Sequence, residues 1–180
     1  MAVNNNTDNL GSELIDFSLK GIDEKNYSPA DFKNKDLIVI IFMCNHCPYV
    51  IDMIGRFVKF QTSHKNIQLI GINSNDTNAY PEDSFEKMKL FAADHKINFP
   101  YLFDETQETA RKYGAVCTPD IFLYDQKRIL RYRGRFDDNR KDESLVNEKD
   151  LEKAAELLLA GKEINFEQIP SIGCSIKWKN

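Results

Sequence analysis

Two closely spaced cysteines are the residues of this sequence best suited to chemistry, and they lie in the segment Cys44-Asn45-His46-Cys47. Two cysteines so placed at the start of a helix can approach within the distance that a disulfide needs. The positive end of the helix dipole favours a thiolate at Cys44, and a protonated His46 would add to this effect. We therefore predict a cycling disulfide with Cys44 as the exposed attacking thiol and Cys47 as the shielded one. Asn45 and His46 would chiefly set its reduction potential.

The elements on either side of these cysteines are predicted to be a buried strand and a helix. Residues 37–42 form a continuous β-branched and aromatic run, which is typical of a strand buried on both faces. From Tyr49 to about His64 the apolar residues recur at helical spacing. A pair of cysteines between a strand and a helix indicates redox chemistry more strongly than the spacing alone.

The rest of the chain alternates predicted strands with helices and then pairs two strands through a tight turn. Further strands are predicted at 67–72, 99–103, 121–124 and 129–135, and helices at 81–95, 105–113 and 150–160. This pattern favours an α/β fold in which helices flank a central mixed sheet, with an N-terminal β-hairpin within residues 11–36. The alternating Arg131, Arg133 and Arg135 predict a solvated face on the strand at 129–135.

The composition fits one globular domain with its own core. The chain has 180 residues, of which 42% are hydrophobic and 29% charged, and a chain of this size can bury a sizeable core. We predict a single domain over residues 1–180. Residues 1–12 are expected to form a flexible N-terminus, and the apolar tail at 164–180 is expected to dock on the domain.

Charge and hydropathy exclude several classes of partner. The formal net charge is -4, with acids and bases interspersed, so no basic stripe for nucleic acid is present. No apolar run approaches the roughly 20 residues that cross a bilayer.

The first ten residues lack the features of a secretory signal, which predicts a cytoplasmic location. Four cysteines in such a chain are expected to be catalytic, metal-binding or buried instead of forming a disulfide framework.

Four segments carry a resemblance to a known family: Phe42–Val50, Val116–Tyr124, Gly134–Asn139 and Pro170–Lys179. Together they resemble the peroxiredoxin-like branch of the redoxin (AhpC/TSA) family, within the thioredoxin-like superfamily. The resemblance covers roughly Phe17 to Lys179 and implies a thioredoxin-like fold.

The resemblance also assigns supporting roles. In this superfamily the proline that matches Pro119 is cis, and the backbone before it pairs with a substrate polypeptide beside the first cysteine. Thr118 and Pro119 would carry that role. Thioredoxins usually have a tryptophan and a buried aspartate where this chain has Met43 and Ile38. Proton transfer from Cys47 must therefore use another group or water.

Peroxiredoxins share a second pattern, PxxxTxxC, whose final cysteine attacks peroxide. Aligning that cysteine with Cys47 places Ile40 and Cys44 where the proline and threonine belong. This departure disfavours peroxidase activity.

Two further cysteines are candidate redox residues. Cys117 precedes Thr118-Pro119 and is expected near the Cys44–Cys47 pair, although simple burial is the favoured explanation for it. Cys174 can pair with Cys117 or act as a resolving thiol when the tail docks. Among polar residues, Asn75 or Asp76 is expected to orient a substrate or a proton, or to cap the next element.

Three functions from different classes follow. The leading hypothesis is a thiol–disulfide oxidoreductase without a cofactor, which uses Cys44 and Cys47 and takes a protein disulfide, dithiol or reductase as its partner. The second is a thiol peroxidase, which predicts rapid sulfenic acid formation. The third is a non-enzymatic metal-binding protein that uses Cys44, Cys47 and His46, because thiolates and imidazole suit zinc or copper(I).

Overall fold

The computed structural model describes residues 2–5 and 9–179. The strands are β1 (Ala2–Asn4), β2 (Leu19–Gly21), β3 (Asn26–Tyr27), β4 (Leu37–Phe42), β5 (Ile67–Asn73), β6 (Tyr101–Phe103), β7 (Cys117–Thr118), β8 (Asp120–Tyr124), β9 (Leu130–Arg133) and β10 (Ile172–Ser175). The α-helices are α1 (Pro48–Ser63), α2 (Phe85–Asp94), α3 (Glu108–Tyr113) and α4 (Asp150–Leu159). Short 3-10 helices span Pro29–Phe32, Pro81–Asp83 and Glu143–Leu145.

A central sheet of seven strands has the order β3-β2-β6-β5-β4-β8-β9. Strand β4 pairs in parallel with β5 and antiparallel with β8, so the sheet is mixed, as predicted. Strands β2 and β3 form the expected N-terminal hairpin at one edge. The prediction of an α/β fold with helices around a mixed sheet is confirmed.

Strand β4 is buried on both faces because a separate apolar core lies on each. The odd-numbered residues from Leu37 to Ile41 belong to a core that includes side chains of α1, α2 and α4. The even-numbered residues from Ile38 to Phe42 belong to a second core that includes side chains of α3. Since successive strand residues point to opposite faces, both parities must be apolar, which explains the unbroken run in the sequence.

A second sheet joins the two ends of the chain, in the order β1-β10-β7. The tail strand β10 pairs with β7, and Cys174 lies opposite Thr118. On its other edge β10 pairs with Ala2–Asn4. The expectation of a flexible N-terminus is corrected for residues 2–4, because the open edge of β10 supplies backbone partners for them. Residues 1 and 6–8 lie outside the described residues.

The helix predicted at 81–95 is two elements, a 3-10 turn and α2, because Ser84 between them has extended backbone angles. The solvated arginine face predicted for the strand at 129–135 is wrong at Arg133. Its guanidinium is buried and lies 2.9 Å from the carboxylate of Asp120, which is also buried. Among the described residues no helix has the length and apolar character needed to cross a bilayer.

Candidate active site

The paired cysteines lie between the end of β4 and the beginning of α1, as the sequence predicts. Helix α1 starts at Pro48, and Cys47 is its N-cap residue. The carbonyl oxygen of Cys47 accepts the N–H groups of Val50 and Ile51, each at 3.0 Å. The helix therefore places its positive end at the second cysteine of the pair.

Cys44 is not the exposed thiol that the sequence predicts. Its side chain is 1% exposed, and that of Cys47 is 0% exposed. The prediction placed Cys44 at the first turn of the helix, whereas the helix begins after Cys47. Cys44 thus lies in the buried connection before α1.

Thr118 is the residue on which three of the cysteines converge. Its carbonyl oxygen lies 3.0 Å from Cys47 Sγ, and its hydroxyl oxygen lies 3.6 Å from Cys44 Sγ. The same hydroxyl donates to the carbonyl oxygen of Cys174 at 3.5 Å. The peptide bond between Thr118 and Pro119 is cis, as the family resemblance implies. Both predicted supporting residues therefore lie beside the cysteines.

The two thiols of the pair titrate together and in opposite directions. Their mutual hydrogen bond raises the pKa of Cys44, and burial and the negative charge of Asp83 raise it further. The same hydrogen bond lowers the pKa of Cys47. The carbonyl of Thr118 favours the thiol form of Cys47, but donors on Cys44, Thr118 and Cys174 outweigh it. The surroundings therefore raise the pKa of Cys44 and lower that of Cys47, the reverse of the sequence prediction.

Cys174 approaches the pair from the tail strand. It packs against the core that contains Cys44 and Cys47, and its carbonyl oxygen accepts the hydroxyl of Thr118, whose own carbonyl oxygen lies 3.0 Å from Cys47 Sγ. Burial and the hydrogen bond with Cys47 raise the pKa of Cys174 to about 11. Unlike the pair, Cys174 is partly exposed. The structure thus gathers three cysteines around Thr118, two of them buried and one partly exposed.

Cys117 lies in the adjacent strand but points elsewhere. Its thiol is buried and donates to the carbonyl oxygen of Pro119 at 3.4 Å. Burial, with a smaller contribution from Asp120, raises the pKa of Cys117 well above its usual range. This environment fits the favoured explanation of Cys117 as a buried residue.

Asp83 is a site residue that sequence reasoning missed. Its carboxylate is fully buried and accepts the backbone N–H groups of Asn45 at 2.8 Å and His46 at 3.3 Å. The side-chain amide of Asn75 donates to it at 2.7 Å, and His46 Nδ1 lies 2.7 Å away. Asp83 therefore fixes the backbone between the two cysteines. It also supplies a buried acid beside Cys44, where Ile38 offers none.

The residues around Asp83 hold the segment between the cysteines in place. Asn45 accepts the Tyr101 hydroxyl at 2.9 Å and donates to the carbonyl of Glu82 at 2.9 Å. His46 stacks on Tyr80 with 5.5 Å between ring centroids. Asn75, predicted to orient a substrate or cap an element, instead orients Asp83 and accepts the backbone N–H of Lys177 from the tail at 2.9 Å.

A metal ion can be held by residues of the same site. The ligand atoms of Cys44, His46 and Asp83 all lie within 4.8 Å of one another. A thiolate, an imidazole and a carboxylate form a donor set that zinc accepts. The sequence analysis proposed Cys44, Cys47 and His46 as ligands, whereas the structure groups Cys44 and His46 with Asp83.

The polar residues after β9 form ion pairs with two helices. Asp137 is buried and pairs with the buried Arg56 of α1, while Arg135 pairs with Asp150 at 2.9 Å. These ion pairs fasten the loop to α1 and α4.

The fold and the paired cysteines define a redoxin of the thioredoxin-like superfamily. The model of the AhpC/TSA family matches residues 10–133, so the chain belongs to this family. A search of curated proteins gave no match.

Solved structures extend the comparison to the whole chain. An uncharacterized conserved protein from Geobacillus kaustophilus is 40% identical, with a TM-score of 0.94 and coverage of 99% of this chain and 97% of that one. A hypothetical protein from Sinorhizobium meliloti 1021 is 37% identical, with a TM-score of 0.93 and coverage of 98% of both chains. The thioredoxin domain of a thiol-disulfide oxidoreductase from Bacteroides vulgatus is 15% identical, with a TM-score of 0.63 and coverage of 83% and 97%. This last likeness concerns the fold alone.

Proposed function

We propose that the protein is a thiol–disulfide oxidoreductase that exchanges a disulfide with a protein partner through Cys44 and Cys47. The observation that carries this proposal is the hydrogen-bonded pair of thiols beside Thr118. Distant thioredoxin-like structures named as thiol-disulfide oxidoreductases support the same class of reaction.

The protonation of the pair suits a two-step exchange. When Cys44 forms a mixed disulfide with a partner, the Cys47 thiolate attacks Cys44 Sγ and the partner leaves as a thiolate. A disulfide between Cys44 and Cys47 remains, and two electrons have passed to the partner. Once Cys44 is in the mixed disulfide it no longer donates to Cys47, so the hydroxyl of Thr118 and Cys174 are the groups that lower the pKa of the attacking sulfur in this step.

Asp83 and His46 would handle the proton of Cys44. The carboxylate and the imidazole are the acid–base groups near Cys44 Sγ within the described site, and His46 is partly exposed to solvent. A proton from Cys44 can therefore reach water through His46. In this proposal Asp83 and His46 take the role of the buried aspartate that thioredoxins usually have at the position of Ile38.

Trapping of the partner tests the proposal. A Cys47→Ser variant cannot resolve the mixed disulfide, so it should accumulate partners on Cys44 that a thiol reductant releases. The Cys44→Ser/Cys47→Ser double variant is the control, because it keeps Cys117 and Cys174 but lacks the pair. Equal capture by both variants, or capture by neither, would overturn the mechanism. Fractionation of cells that express the full chain tests the cytoplasmic location that belongs to this proposal.

Metal binding is a second candidate function, because the ligand atoms of Cys44, His46 and Asp83 lie within 4.8 Å of one another. Elemental analysis after purification without chelator tests it. A stoichiometric thiophilic metal that is lost in Asp83→Ala favours this function, and a metal-free protein excludes it.

Peroxidase activity stays a prediction, and it is compatible with the match to the AhpC/TSA family. Rapid, single-site sulfenic acid formation with hydrogen peroxide would support it.

A further inference from the structure

The buried position of the pair raises the question of how its disulfide reaches another protein. The side chains of Cys44 and Cys47 are 1% and 0% exposed, and the third thiol of the cluster, Cys174, is partly exposed. All three cysteines contact Thr118. Strand β10 fixes Cys174 there through its register with β7, and β10 also lies against α1.

We propose that Cys174 is a third redox cysteine, which converts the Cys44–Cys47 disulfide into a Cys47–Cys174 disulfide and so carries it toward the surface. The proposal deepens the proposed thiol–disulfide exchange and rests on it. Cys47 is the shared sulfur, because its Sγ lies 3.0 Å from the carbonyl oxygen of Thr118, the residue that pairs with Cys174 across the two strands.

The conversion is a balanced exchange within the chain. The deprotonated sulfur of Cys174 attacks Cys47 Sγ, the bond between Cys44 and Cys47 breaks, and a bond between Cys47 and Cys174 forms. The proton that leaves Cys174 ends on the sulfur of Cys44. One disulfide replaces another, so the step requires no external oxidant or reductant.

The new disulfide is more accessible to a partner protein than the first one, because Cys174 is partly exposed. A thiolate of a protein dithiol would attack the partly exposed Cys174 Sγ and release Cys47. The second partner thiol then displaces Cys174, so the partner becomes a disulfide and the chain gains two thiols. The tail is then part of the reaction path as well as of the fold.

Disulfide mapping of a Cys44→Ser variant tests the inference. The metal-free full chain is equilibrated with oxidised glutathione, quenched with an alkylating agent and digested for mass spectrometry. The Cys47–Cys174 peptide should dominate in Cys44→Ser and be present as a minor species in the wild-type protein. It should be unaffected in Cys44→Ser/Cys117→Ser, the matched control that removes a buried cysteine outside the cluster.

Two outcomes separate this inference from the function on which it rests. In the first outcome, Cys47 is linked to Cys174 in neither the Cys44→Ser variant nor the wild-type protein, while Cys174→Ser still forms the Cys44–Cys47 disulfide. This outcome refutes the transfer of the disulfide to Cys174 and leaves the proposed function intact. If neither the wild-type protein nor Cys174→Ser forms the Cys44–Cys47 disulfide, the proposed function itself fails. The wild-type measurement decides the matter even if Cys44→Ser does not fold.

Discussion

Substituting Gly173 by alanine should displace the tail strand from the active site. A Cβ atom at this position would lie 2.2 Å from the carbonyl oxygen of Thr118 and 2.6 Å from its carbonyl carbon. Carbon and oxygen atoms normally approach to about 3.3 Å, so β10 must retreat by about 1 Å. Backbone atoms cannot rotate away as a side chain can, and Cys174 follows directly in the same strand.

The expected cost is that of overpacking a well-packed site, about 1–3 kcal/mol. For a chain of this size, 1 kcal/mol lowers the melting temperature by about 2–4 °C. Gly173→Ala should therefore melt about 2–12 °C below the wild-type protein. Because the retreat also uncovers Cys47, the folded variant should be alkylated faster at Cys47 and Cys174.

Gly55→Ala is the matched control for this experiment. Gly55 is exposed within α1, and a Cβ there meets nothing within 4 Å. The same change should raise the free energy of unfolding by about 0.8–1 kcal/mol through helix propensity. Wild-type melting temperature and wild-type alkylation rates in Gly173→Ala would refute the close packing of β10 against Thr118.

Three further changes probe the site and its support. In a Cys47→Ser background, Asp83→Asn should lower the pKa of Cys44, because it removes a negative charge near this thiol. The pKa is measured by titrating the thiolate absorbance, and an unchanged pKa would contradict the prediction. Arg133→Met should destabilise the protein by about 3–5 kcal/mol in denaturant unfolding, since it removes the guanidinium that neutralises the buried Asp120. Adding Asp120→Asn should recover part of the loss. Iodoacetamide should modify Cys117 in the folded protein more slowly than Cys174, because the pKa of Cys117 is raised further and its thiolate fraction is smaller. Faster modification of Cys117 would count against the burial of Cys117.

The strand and the helix around the cysteines were predictable because their patterns are local. An unbroken apolar run and a helical stripe each reveal the burial of their own element. The start of α1 was also predictable from the sequence. Proline favours the first helical position, so Pro48 indicates that Cys47 is the N-cap and that Cys44 lies outside the helix.

The residues that escaped prediction depend on contacts between distant segments. Asp83 resembles an ordinary acid at the start of a helix, and nothing in its own segment shows that it caps the backbone of Asn45. Arg133 follows a strand alternation that usually marks a solvated face, yet it is buried because Asp120 lies beside it on the neighbouring strand. Cys174 joins the site only through the pairing of β10 with β7.

The reduction potential of the Cys44–Cys47 pair decides whether the two thiols can exchange a disulfide at all. Metal-free protein is equilibrated with glutathione buffers, alkylated and analysed by mass spectrometry, with Cys174→Ser measured alongside the wild-type protein. We predict a two-electron couple between roughly -300 and -120 mV in both proteins. Failure of Cys44 and Cys47 to form a disulfide at any buffer ratio would contradict the assignment as a thiol–disulfide oxidoreductase.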